Sequence, residues 1–109
     1  MIQEEVYNGR DNTLWLGLRM AKELIPLTDV INMELMVGDS LRFNAEVLGG
    51  SGEDKPFDWT SYGVLGVLIL RLGHLSVPAG TYLCRLLVFT EKSPNGVCWD
   101  YFRLRFKDC

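Results

Sequence analysis

Apolar residues in this chain tend to recur at every second position, and turn-forming residues arrive about every ten positions. Because successive side chains of a β-strand point to opposite faces, this period indicates short strands joined by turns. Only residues 20–25 have a helix-forming composition, and Pro26 would stop a helix there before its second turn. The pattern therefore predicts an all-β protein in which residues 20–25 form a connection.

Seven strands are predicted, at residues 2–7, 13–19, 30–37, 41–48, 64–72, 81–90 and 97–106. That number suits a single antiparallel two-sheet sandwich of the immunoglobulin-like type. A chain of 109 residues is too short to enclose two separate cores, so we expect one domain over residues 1–109. The glycine-rich, acidic stretch at about 49–56 is predicted to be a mobile loop within it.

The turn at residues 38–40 specifies the register of the third and fourth predicted strands, because a shift by one residue would exchange their faces. One face then carries the apolar pairs Val37–Leu41, Leu35–Phe43, Met33–Ala45 and Ile31–Val47. The other face carries the more polar pairs Met36–Arg42, Glu34–Asn44 and Asn32–Glu46. We expect the first face in the core and the second in water.

The sixth predicted strand opens with AGTYLC at residues 79–84, which is typical of a tyrosine corner. In that motif the Tyr82 hydroxyl bonds back to the loop that leads into its strand. The immunoglobulin disulfide is excluded, because the second and third strands contain no cysteine. Cys84 and Cys98 fall too far apart along the last hairpin to form a bridge. We expect free thiols, with Cys84 as a small buried hydrophobe.

The fifth and sixth strands carry large apolar residues on both faces, which an exposed sheet face does not normally do. Something is therefore expected to cover the second face. One candidate cover is the aromatic half of the loop at 49–63, with Phe57, Trp59 and Tyr62. The other is a second subunit or a partner protein, for which the candidate interface residues are Leu68, Leu70, Leu83, Leu87 and Phe89.

No group of residues in the sequence has the spacing that catalysis or metal binding requires. His74 is the only histidine and has no companions for a metal site or a proton relay. The GGSGE segment around Ser51 lacks the final glycine of a nucleophile elbow and its strand–turn–helix setting. Calcium loops, phosphate loops, dinucleotide fingerprints and CxxC pairs are also missing. We therefore expect no enzyme, no cofactor and no metal.

Charge and hydropathy narrow the range of partners. The formal net charge is −3 and the sequence pI is about 5.0, which argues against nucleic acid and anionic membranes. The apolar run at residues 63–70 is far shorter than the ~20 residues of a membrane-spanning helix. The acidic N-terminal segment does not have the pattern of a secretory signal. A protein without an export signal or a transmembrane segment is expected.

Aromatic residues offer one further hypothesis, a stacking platform for a glycan or another ligand on the sandwich surface. Packing in the core or in an interface is the competing interpretation, because aromatic residues on strands usually pack. The four candidates for such a platform are Trp15, Trp59, Trp99 and Tyr101.

Four segments follow one another in a characteristic order: YNGRDNTLWLGLR at 7–19, IPLTDVINMEL at 25–35, LRLGHLSVPAGTYLCRLLVF at 70–89 and SPNGVCWDYFRLRF at 93–106. This order resembles that of small β-sandwich proteins associated with the tails or baseplates of bacteriophages and prophages. The resemblance implies a non-enzymatic subunit of a virion, made in the host cytoplasm, that docks onto other phage structural proteins or onto itself. Two other classes stay open, a glycan- or ligand-binding module and an inhibitor of a host protein.

Overall fold

The computed structural model describes residues 3–9, 13–17, 19–20, 23–24, 27–63, 66–75 and 77–108. Within these residues the regular structure is β-strand, apart from a 3-10 turn at Leu72–His74. The strands are β1 Gln3–Asn8, β2 Thr13–Gly17, β3 Arg19–Met20, β4 Glu23–Leu24, β5 Val30–Val37, β6 Leu41–Asn44, β7 Phe57–Asp58, β8 Val67–Arg71, β9 Gly80–Thr90 and β10 Val97–Asp108. The all-β prediction is confirmed.

Two main sheets form a sandwich, as the strand pattern predicts. The larger sheet has five strands in the order β1-β10-β9-β5-β6, and the smaller has three in the order β2-β8-β7. Strands β3 and β4 pair with each other as a separate two-stranded ribbon. All strand pairs within the described residues are antiparallel except β1 with β10, which run parallel. The predicted antiparallel arrangement therefore holds for every described strand pair except β1 with β10.

The core lies between the two sheets and is filled by alternate residues of the long strands. The five-stranded sheet contributes side chains with at most 2% exposure from β9 and β10, namely Cys84, Leu86, Val88, Phe102, Leu104 and Phe106. The smaller sheet contributes Phe57, Leu68 and Leu70, each at most 1% exposed. Burying a side chain of this kind stabilises a fold by about 1.5–3 kcal/mol before entropic costs, so these alternating positions hold the sandwich together.

The hairpin between β5 and β6 has the predicted register over most of its length. Val37 pairs with Leu41 and Leu35 with Phe43, and the Ala45 N–H donates to the Met33 carbonyl over 2.8 Å. Gly38 begins the turn with a φ of 63°, the left-handed conformation that glycine adopts without strain. The Met36 side chain, however, is only 8% exposed, so its predicted contact with water is wrong.

The predicted strand at residues 41–48 is too long, because β6 ends at Asn44. The Asn44 Oδ1 atom accepts hydrogen bonds from the Glu46 and Val47 N–H groups over 3.0 and 3.3 Å, and this turns the chain away from β5. Ile31 and Val47 therefore do not pair in the core. Their exposed fractions are 58% and 83%.

The tyrosine corner predicted at Tyr82 is confirmed. Its hydroxyl donates a hydrogen bond of 2.8 Å to the Pro78 carbonyl, in the loop that leads into β9. Its ring meets the Phe106 ring edge to face at a centroid distance of 6.0 Å. Together, the hydrogen bond and the ring contact hold the loop before β9 against Phe106 at the end of the core.

The substitution Tyr82→Phe removes this hydroxyl while keeping the ring. We expect the free energy of unfolding, measured by urea denaturation, to fall by about 0.5–1.5 kcal/mol, the net value of one hydrogen bond. Tyr62→Phe is the matched control, because Tyr62 is 44% exposed and its hydroxyl bonds to no described residue. Equal effects of the two substitutions would show that the corner does not stabilise the fold.

Candidate functional site

Strand β8 is buried on both faces by the chain itself. Leu68 and Leu70 are 0% exposed on the face turned to the core, and Ile69 is 3% exposed on the opposite face. Ile69 lies between Trp15 of β2 and Asp58 of β7 in the register of the sheet. The chain itself therefore covers this strand on both faces, and Leu68 and Leu70 are core residues that a partner cannot reach. As interface residues these two were predicted wrongly.

The loop at 49–63 is fastened to β8 through Arg71 and Asp58. The Arg71 guanidinium donates to the carbonyls of Gly52 and Lys55 over 3.1 and 3.2 Å. It also forms an ion pair of 3.4 Å with the Asp58 carboxylate, whose side chain is 0% exposed. Because one guanidinium reaches both halves of the loop, these contacts hold the loop against the edge of the smaller sheet.

The Asp58 carboxylate is satisfied by four donor groups of Thr60 and Ser61. Its oxygens accept the N–H groups of Thr60 and Ser61 over 3.1 and 3.0 Å and both hydroxyls over 3.2 and 2.8 Å. Burial alone would raise the pKa of Asp58, but these donors, led by Ser61, outweigh burial and lower it. In the sequence, the signal for this hydrogen-bonded carboxylate is the Thr and Ser at two and three residues after Asp58.

Asp58→Asn should destabilise the protein at neutral pH by about 1–3 kcal/mol, because an amide nitrogen would face donors in place of one carboxylate oxygen. Since the folded-state pKa of Asp58 is lowered, its stabilisation is complete above the unfolded pKa of about 3.9 and is lost as the pH falls through the folded value. Denaturant unfolding across a pH series measures this dependence. A variant as acid-sensitive as the wild type would contradict the assignment.

The outer face of the five-stranded sheet, which points away from the smaller sheet, carries the other three candidate interface residues. Leu83 is 47% exposed there, and Leu87 and Phe89 are half-buried. Tyr101, directly opposite Arg85 in the register, is 51% exposed. The face is therefore partly apolar and open, in contrast to the covered face of β8.

Basic side chains outnumber acidic ones on this outer face. The register places five cationic and two anionic groups on it, namely Arg42, Arg85, Arg103, Arg105 and Lys107 with Glu5 and Glu34. Lys107 pairs with Glu5 over 3.0 Å, and this contact lowers the pKa of Glu5. Among the described residues no carboxylate lies within ion-pair distance of the four arginines. The surface is locally positive on a chain of net charge −3.

The two cysteines among the described residues are free and lie on opposite faces of this sheet, so they cannot form a bridge with each other. Cys84 is buried, and burial raises the pKa of its thiol to about 11. Cys98 is exposed and pairs with Leu87 in the register, on the outer face. A hydrogen bond between Cys98 and Tyr101 raises the pKa of the Tyr101 hydroxyl, while the charge of Arg85 opposes this shift. Cys109 lies outside the described residues.

In a Cys109→Ser background, we expect a thiol reagent such as Ellman's reagent to modify Cys98 in the native protein and to spare Cys84. The thiolate is the reactive form, and burial suppresses both its formation and its access at Cys84. Absorbance kinetics with and without denaturant measure this difference, with Cys98→Ser as the control. Modification of Cys84 before unfolding would contradict its placement in the core.

The four candidates for an aromatic platform do not share one surface. Trp59 is only 8% exposed in the core, and Trp99 is half-buried and packs against that core. Trp15 is 56% exposed on the smaller sheet. Its ring centroid lies 5.2 Å from that of Tyr62, and the two rings are tilted by 45°. Tyr101 belongs to the outer face of the other sheet. A single platform built from all four residues is excluded by this geometry.

The described residues contain no cluster of His, Cys, Asp and Glu that could hold a metal ion. They also contain no helix with the length and apolar character needed to cross a bilayer. The Ser51 hydroxyl accepts the Trp59 N–H over 2.9 Å, which gives it a structural role in the loop. The His74 side chain lies outside the described part. No protein-family model matches the chain, and no curated protein matches it either.

Proposed function

We propose that the protein is a non-enzymatic assembly subunit that docks onto another protein through the outer face of its five-stranded sheet. The observation that carries this proposal is the combination of exposed Leu83 and Tyr101 with arginines that have no ion-pair partner among the described residues. Tyrosine and arginine are enriched in protein interfaces, and a sheet face offers a broad surface rather than an enclosed pocket. Both features favour a protein partner.

The charge of the outer face specifies the chemistry of that partner. Two copies meeting face to face would bring Arg85, Arg103 and Arg105 of one against the same residues of the other, and like charges in an interface are unfavourable. A partner surface with carboxylates around an apolar centre would pair with these arginines and cover Leu83. The partner we propose is therefore a different protein with an acidic, partly apolar surface.

The setting we propose is a bacteriophage or prophage particle, in its tail or baseplate. The support is the order of the four sequence segments, which resembles small tail- and baseplate-associated β-sandwich proteins. Mass spectrometry of particles purified from the phage or induced prophage that carries the gene tests this setting directly. We expect the protein at a fixed ratio to the tail components. Its absence from intact particles would refute the virion role.

Charge reversal tests the docking face. We expect Arg103→Glu to weaken binding to an acidic tail or baseplate protein encoded beside the gene by at least about tenfold, measured by calorimetry after co-expression has identified the pair. Lys92→Glu makes the same change of charge at an exposed position outside the sheet and is the matched control. Higher salt should weaken wild-type binding, because exposed charge pairs are screened.

The outcomes of this experiment separate the face from the setting. Equal binding by Arg103→Glu and Lys92→Glu would exclude the outer face as the docking surface, even if the protein is found in particles. A protein that stays monomeric at high concentration and binds none of the neighbouring structural proteins would refute the assembly function itself. Loss of binding with Arg103→Glu alone supports both the surface and the proposed chemistry of the partner.

A further inference from the structure

An open cleft of about 500 Å³ lies at one edge of the five-stranded sheet, beside the loop that follows β6. Its volume falls within the range of about 300–1,000 Å³ that small-molecule sites occupy. The cleft combines polar side chains with two aromatic rings, and its walls are Ile31, Asn32, Asn44, Glu46, Gly50, Ser51, Trp59, Phe89 and Pro94.

The oxygen atoms of the two asparagines are used by the protein itself. Asn32 Oδ1 accepts the N–H groups of Met33 and Glu46 over 2.9 and 3.0 Å. Asn44 Oδ1 accepts the Glu46 and Val47 N–H groups and also the Asn32 side-chain amide over 3.1 Å. Both carboxamides are therefore held in one orientation, with their nitrogen atoms left to donate.

Donors and one acceptor remain for a ligand. Asn44 Nδ2 donates to no other described residue, and Asn32 Nδ2 uses only one of its two hydrogens. Ser51 Oγ accepts the Trp59 N–H, so its own hydrogen is available. Glu46 is exposed, and its carboxylate bonds to no described residue, which makes it an acceptor. Hydrogen-bonding groups of both kinds thus line the same cleft as the apolar side chains.

We infer that this cleft binds a neutral saccharide. Sugar hydroxyls both donate and accept hydrogen bonds. One hydroxyl can therefore accept a hydrogen bond from Asn44 Nδ2 while its neighbour donates one to the Glu46 carboxylate. The C–H face of a sugar ring can pack against the half-buried Phe89, and Trp59 is a further, mostly buried lining residue. A purely apolar ligand would leave the amides unpaired, and an anionic ligand would meet the charge of Glu46.

The saccharide site does not rest on the proposed docking function. It lies at the β5–β6 side of the outer face and shares Phe89 with the candidate interface residues. Its polar groups come from β5, β6 and the loop after β6, whereas Arg85, Arg103 and Arg105 lie on β9 and β10. Asn44 and Glu46 take no part in the docking test, and Arg103 takes no part in the saccharide site. Failure of either experiment therefore leaves the other result standing.

Nuclear magnetic resonance titration of the full chain tests the site, with glucose, galactose, mannose and N-acetylglucosamine as probes. We expect at least one of them to shift the side-chain amide signals of Asn32 and Asn44 with millimolar affinity, which is typical of a small open site. Glucuronate should bind more weakly than the neutral sugars because of Glu46. If none of the four probes shifts these signals at tens of millimolar, the inference is overturned.

Two variants remove the ligand contacts while preserving the turn. Asn44→Asp keeps the Oδ1 acceptor that caps the turn and replaces the donating nitrogen, and Glu46→Gln removes the charge at similar size. Each should weaken binding of the neutral sugar at least fivefold. Glu46→Gln should also reduce the difference in affinity between the neutral sugar and glucuronate. Trp15→Ala, on the other sheet, is the control and should change nothing. Binding that survives both cleft variants, or that depends on Trp15, would overturn the site.

Discussion

The fold depends on one constraint, that the central strand of the smaller sheet is apolar on both faces. Leu68 and Leu70 fill the core, while Ile69 on the opposite face is shielded from water by the same chain. The Asp58–Arg71 pair fastens the loop that carries β7 to this strand. A buried carboxylate is costly unless it is fully hydrogen bonded, and the donors of Thr60 and Ser61 meet that requirement. The smaller sheet can thus have only three strands and still keep its central strand out of water on both faces.

Local patterns in the sequence predict the local features of this structure. The alternation of apolar residues identifies the long strands, the turn at 38–40 predicts the pairing of Leu35 with Phe43, and AGTYLC predicts the bond from Tyr82. Long-range contacts were not predictable in this way. The parallel pairing of β1 with β10 and the burial of Asp58 depend on which segments meet in space. The cleft likewise joins residues from four separate segments, so no single stretch indicates it.

The sheet order separates two chemically different surfaces on one domain. The middle of the outer face is basic and partly apolar because Arg103 and Arg105 alternate with core residues along β10. The edge beyond β5 carries Asn44 at the end of β6 and Glu46 in the turn that follows, where side chains need not serve the core. Strands thus supply a regular array of charges, and a turn supplies converging polar groups. This is why a broad contact and a small site can coexist although both include Phe89.

The parallel pairing of β1 and β10 has a consequence for the order of folding. Asn8 and Asp108 are neighbours in the sheet although they stand 100 positions apart in the chain. During synthesis β1 must therefore wait, unpaired, until β10 has emerged from the ribosome. Contacts between such distant segments form slowly, because a long loop has to be closed first. We therefore expect the large sheet to be completed last at this edge, with β10 open to pairing by other strands until β1 binds it.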